Sequence, residues 1–266
     1  ATVYRRFRLP VRPADEFVTH VALSFAADLV CGGNMTRALR LGNTCMSATP
    51  LSKNMETPNA EADEARIDAI LAFWFREEEL SAPQVDRRMD TWFSEDPVLD
   101  HEIERDFAAD VDAASSGNLD HWAETPRGRL ALILLLDQFR RNIYRGTAKA
   151  YALDKMALKL CVEGAMEKKD DGLSPIEKVF FYMPLQHSES PKVQAKSVAL
   201  FSRLAEAVTP TYRETFQTIA QFAELHADII DAYSRFPHRN RVLGRENTPE
   251  EAEYLAGDAM DFGQGG

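Results

Sequence analysis

From Glu64 onward the apolar residues fall into a helical spacing. Ile67, Ile70, Leu71, Trp74 and Phe75 stand at i, i+3, i+4, i+7 and i+8, the stripe with which one side of an α-helix packs while the other faces water. A similar pattern runs from Gln84 to Phe93. Pro97 sits where a first helical turn tolerates proline, and Leu99, Ile103, Phe107 and Val111 then recur every four residues until Gly117 ends the segment.

Pro126 opens a different kind of segment, because Leu130 to Leu136 (LALILLL) is apolar on every side and must be buried among other elements. A buried strand has the same appearance. The continuation DQFRRNIYRG favours a helix, with arginines in its last turns complementing the helix dipole and Gly146 as the stop. Helical patterns also cover about 148–168, 174–184, 190–208 and 211–235, and Thr248 with Glu251 has the spacing of a capping box. No segment alternates with period two, and no signature recurs at a fixed period. These patterns predict an all-α fold of eight or nine helices in antiparallel pairs, a single domain over residues 61–262. The tail DFGQGG, residues 263–266 in particular, is expected to be disordered.

Charge divides the chain. Of the net −11, residues 1–55 carry +4, seven Lys or Arg against three acids, so the remainder carries −15. An acidic body argues against nucleic acid and anionic membrane as partners, since both need a basic face. Residues 1–60 read as an N-terminal extension, poorly ordered or non-native, with Met46 or Met55 as the natural start. An organellar transit peptide or a secretory leader is the alternative, although neither pattern is clean. The apolar run Phe17 to Val30 is broken by Thr19, His20, Ser24 and Asp28 and falls short of the roughly 20 residues a bilayer span needs. Three cysteines, Cys31, Cys45 and Cys161, show no C-x-x-C pair, so no disulfide framework is expected and a reducing, cytoplasmic setting fits. Cys161, amid Ala157, Leu158 and Leu160, reads as core.

Three polar clusters interrupt the apolar helices. Asp137, Arg140, Arg141, Tyr144 and Arg145 are related by 3, 4, 7 and 8 positions and form one stripe on an ideal helix, with Gln138 and Asn142 beside it. Such a row of forked donors suits a carboxylate or phosphate; pairing with Asp137 and the helix dipole is the structural alternative. The second cluster is PLQHSES, residues 184–190, between two helices. His187 and Glu189 are candidates for base and acid or for metal ligation, and Ser188 for a nucleophile if a histidine from elsewhere reaches it. A helix connection capped by Ser188 or Ser190 is the plainer alternative. The third is His226, on one face with Ile229, Ile230 and Tyr233, followed by RFPHRNRVLGR with His238, Arg239, Asn240 and Arg245. That run forms either a basic concavity for an anion or a loop that neutralises acidic helices. If the clusters meet, His187, Glu189, His226 and His238 make a metal site or a metal-free acid/base pair beside arginines.

FWF at 73–75, WF at 92–93, PRGRLALILLLDQFRRNIYRG at 126–146, FFYMPLQHSES at 180–190 and RFPHRNRVLGRENTPEEAEYL at 235–255 together closely resemble the uncharacterised bacterial "domain of unknown function 924" family. The resemblance covers about residues 64–262 and leaves 1–60 unmatched. It implies an all-helical, tetratricopeptide-like arrangement and supplies no activity. The positions that carry over are Asp137, Gln138, Arg140, Arg141, Asn142, His187, Ser188, Glu189, His238, Arg239, Asn240, Gly244 and Arg245. Ser234 departs from the small glycine expected before RFPHRN.

Three functions follow as expectations. The first is a small-anion-binding protein or small-molecule hydrolase without cofactor or metal, in which His187, Ser188, Glu189 and His238 are catalytic. Its ligand-binding set is Asp137, Gln138, Arg140, Arg141, Asn142, Arg145, His226, Arg239, Asn240 and Arg245. The second is a non-catalytic helical scaffold for a peptide or protein, and the third a metal-dependent enzyme with a His/Glu site. Expected partners are therefore a small anionic molecule or a peptide, and no sequence feature demands a homodimer.

Overall fold

In the computed structural model, residues 60–76, 82–257 and 259–264 are described, the side chains of Ala82 and Pro83 excepted. The expectations for residues 1–59 lie outside the described residues. Asp63–Gly266 forms one unit by its internal contacts, and its described residues are helical with no strand, as the spacing predicts.

α1 (Ala60–Phe75) buries Ile67, Ile70, Leu71, Trp74 and Phe75. α2 (Ala82–Phe93) turns Val85, Met89 and Trp92 inward. α3 (Pro97–Ser115) begins at Asp96, whose carboxylate accepts from the amides of Val98 and Leu99 at 2.9 and 3.2 Å, satisfying donors that a first turn leaves unpaired.

α4 (Pro126–Ile133) runs into a π-helical stretch, Leu134–Phe139, and then α5 (Arg140–Ile143). Every residue from Gly128 to Arg141 is buried, the position demanded of a segment that is apolar all round. The stripe read from the sequence divides: Asp137 and Arg141 meet as an i, i+4 pair, whereas Arg140 and Arg145 turn to other partners.

The segment predicted as one helix from 148 begins with a separate 3₁₀ turn, Ala148–Tyr151, before α6 (Asp154–Met166). Gly164 is required there. A Cβ would lie 2.5 Å from Arg129 Cδ and 2.7 Å from Phe181 Cζ, so α6 packs close against both neighbours. α7 (Pro175–Gln186) starts from a capping box of Ser174 and Glu177 and carries Pro184 inside its last turn. It therefore ends two residues beyond the predicted stop, because a proline so near the end forfeits little of the helix's hydrogen bonding.

α8 (Pro191–Ala207) and α9 (Arg213–Tyr233) pack along one another. α9 stops at Ser234, in left-handed backbone with φ +60°. That conformation explains why glycine is the expected residue there. α10 (Pro249–Ala256) opens with the Thr248–Glu251 capping box read from the sequence.

The core is aromatic. Phe180 lies 4.9 to 6.0 Å, centroid to centroid, from Trp74, Phe75, Trp92 and Phe93, and Phe139 bridges Trp74 to Phe107. Among the described residues no helix is long and apolar enough to cross a membrane.

Candidate functional site

Where the π stretch faces the end of α7, Asp137 is completely buried. Its Oδ1 accepts from Arg141 Nη1 at 2.9 Å and His187 Nδ1 at 2.7 Å, and its Oδ2 from Gln138 Nε2 at 2.6 Å. Burial by itself would raise the carboxyl's pKa, but Arg141 and His187 outweigh it and hold Asp137 well below the usual carboxylate range. Ionised, it keeps the His187 proton on Nδ1 and leaves Nε2 as the basic nitrogen. Burial first, then Arg141, push the His187 pKa below 6.5 against the pull of Asp137. His187 is thus a neutral imidazole oriented by a carboxylate, the usual form of a general base.

Asp154, in the first turn of α6, receives Arg141 Nη2 at 3.0 Å and Arg239 Nη1 at 3.3 Å on Oδ2. Arg239 also donates to the His187 carbonyl at 3.1 Å, and its guanidinium lies over the rings of Tyr151 and Phe236 at 4.7 and 4.3 Å. Glu189 takes three bonds of 2.8 to 3.1 Å from Arg245 and the Phe236 amide at 2.8 Å. Three carboxylates therefore face three guanidiniums in one cluster.

The histidines converge beside it. His187 and His226 have ring centroids 6.2 Å apart, and His226 Nδ1 meets the Phe222 carbonyl at 2.6 Å. Burial, then His187, pushes His226 down to about 3, and burial, then Arg239, pushes His238 down to about 2. Buried atoms here without a hydrogen-bond partner include Arg239 Nε, Arg245 Nε, Asp154 Oδ1 and His238 Nδ1.

Other residues selected from the sequence point elsewhere. Arg140 donates to Ser115 Oγ at 3.1 Å and the Lys149 carbonyl at 2.7 Å. Asn142 and Arg145 are both committed to Asp100, and Asn240 to Asn247 and Glu251. Ser188 Oγ accepts the Ser190 amide at 3.3 Å, a turn contact, whereas Ser190 makes no side-chain cap to α8. Gln194 donates to the carbonyls of Gln186 and Ser188 at that junction.

Sequence reasoning passed over Asp100, Tyr151, Asp154, Phe236 and Phe262. Asp154 had a weak signal as a first-turn acid; Phe262 had one as a ring in a polar tail. Met260 and Phe262 lie on Ile229, Ile230 and Phe236. Tyr254 Oη accepts from the Met260 amide, and Arg145 donates to the Gly263 carbonyl. Cys161 is fully buried, and burial pushes its thiol pKa up. Among the described residues no group of three or more His, Cys, Asp or Glu is placed to hold a metal ion.

Fold and site together define a wholly helical domain whose interior holds a carboxylate-bound imidazole among matched arginines. The chain belongs to the family described as bacterial protein of unknown function (DUF924), which matches residues 70–258. It is similar to the solved structure of the protein of unknown function ATU0120 from Agrobacterium tumefaciens, at 36% identity and a TM-score of 0.60, over 72% of this chain and 97% of that one. No curated protein matches it.

Proposed function

We propose that the chain binds a small anionic molecule at the Asp137, His187 and Arg239 cluster and hydrolyses it, with His187 Nε2 as general base. The Asp137–His187 pair carries this reading, since it supplies a neutral, oriented proton acceptor. Arg239 Nε, buried without an acceptor, supports an anion beside it, because buried donors in native interiors nearly always have a partner. Water is the nucleophile, Ser188 Oγ being engaged in its turn. The water oxygen bonds to the acyl or phosphoryl centre as its proton passes to Nε2, and the leaving group departs with that proton.

p-Nitrophenyl acetate and p-nitrophenyl phosphate are the first substrates to assay. The rate should rise with pH through a midpoint below 6.5, as the lowered His187 pKa requires. His187→Gln should cut it by roughly 10²- to 10⁴-fold in a protein that still folds, at a lowered melting midpoint because Asp137 loses a donor. Hydrolysis of neither substrate, with no rise in Tm from phosphate or acetate, would sink this function.

A second reading, a scaffold that binds a peptide or protein without catalysis, is favoured by the charge matching. Arg141, Arg145, Arg235 and Arg245 all pair with acids of their own chain, which suits a structural use of those motifs.

A further inference from the structure

Phe262 stands on His226 with ring centroids 4.0 Å apart and planes 25° from parallel. His238 lies at 5.5 Å and Phe236 edge-on at 6.2 Å. One residue on, the Gly263 carbonyl accepts from Arg145 Nη1, on a guanidinium whose other nitrogens hold Asp100. The chain enters this seat in left-handed backbone, φ +54° at Phe262 and +69° at Gly263. A phenylalanine adopts that conformation only where tertiary contacts impose it. A Cβ on Gly263 would meet the Phe93 carbonyl at 3.3 Å, so glycine is what lets the segment pass. The seat beneath is the face of the His226 imidazole, walled edge-on by Phe236 and His238 and suited to an aryl group, beside a guanidinium that takes an oxygen and a buried His238 Nδ1 with no partner.

We propose that the surface under Phe262 is an aryl-and-oxygen subsite, filled by the chain's own Asp261–Gln264 as a displaceable strap, and that the ligand class is an aromatic carboxylate. The ligand's ring replaces Phe262, and its carboxylate oxygen replaces the Gly263 carbonyl on Arg145. This rests on the reading of the site as anion-binding and names the class of anion.

The test uses the full chain, 3-phenylpropionate as probe, and diethyl pyrocarbonate modification of His226 and His238 resolved by peptide mass spectrometry. Both histidines react slowly in the wild type. Phe262→Ala raises their rates about tenfold or more by removing the cover, and Phe262→Leu, which keeps an apolar plug, restores most of the protection. In the Phe262→Ala protein 3-phenylpropionate slows modification again, and it still does so with His187→Gln added, because this subsite does not use His187. That last arm separates failure of the hydrolase reading from failure of the subsite. Unchanged histidine rates in a folded Phe262→Ala protein, or no protection by 3-phenylpropionate, overturns the proposal. If Phe262→Ala does not fold, wild-type hydrogen exchange decides. The amides of Met260, Gly263 and Gln264 exchange about tenfold or more faster than those of α10 in a displaceable strap, and only with global unfolding if the segment is a fixed part of the core.

Discussion

Phe180 and Asp137 are both fully buried, yet opposite physics holds their surroundings together. The rings around Phe180 gain by excluding water, a force without direction, so each contact adds to its neighbours and none is indispensable. Asp137 sits in a set of bonds with fixed donors and acceptors, Gln138, Arg141 and His187. Removing one member of such a set strands a charge where water cannot reach it. The aromatic region is therefore cumulative, and the polar region stands or falls as a group.

The comparison is most easily broken at its apolar pole. Phe180→Ala should cost about 4 kcal/mol in guanidinium denaturation through lost burial and the cavity left behind, with no pH dependence near neutrality. Asp137→Ala should cost about 3 kcal/mol, because it leaves Arg141 one acid fewer and His187 none. Adding Arg141→Met should recover part of that loss by double-mutant cycle, whereas no second change at a ring should rescue Phe180→Ala. Simple additivity at the Asp137–Arg141 pair would erase the distinction.

The pH dependence of stability should come next. His226 and His238 stay neutral in the folded protein, with pKa values of about 3 and about 2, but ionise at the ordinary 6.5 when unfolded. The unfolded chain then binds more protons below 6.5, so their contribution is complete above that value and is lost as pH falls toward 3. His226→Leu should flatten the slope of denaturation midpoint against pH in this window, and an unchanged slope would assign the acid sensitivity to carboxylates instead. Smallest of all should be Arg127→Ala. Its half-exposed pairs with Asp68 at 2.9 Å and Glu177 at 3.7 Å are worth less than about 1 kcal/mol, so a larger loss on thermal melting would mean that surface charge matters here as interior charge does.

The helices were legible because their cause is local. The stripe of α1, the proline opening α3 and the Thr248–Glu251 box each lie within a few turns of chain, and each appears where its spacing puts it. The π stretch was hidden by its own composition. A run apolar on all sides has no stripe to register, so nothing in Leu134–Leu136 announces the wider π turn.

The residue types at the candidate site were also legible, as three polar clusters in apolar surroundings. Their pairing was not. His187 lies 50 residues from Asp137, Arg145 lies 45 from Asp100, and Arg245 lies 56 from Glu189. Spacing determines which residues share a face within one or two turns, and by that rule the sequence alone set the helices, their caps and their buried sides. Which acid meets which arginine, and that Phe262 lies on His226, depends on how distant helices pack, and only the tertiary structure could decide it.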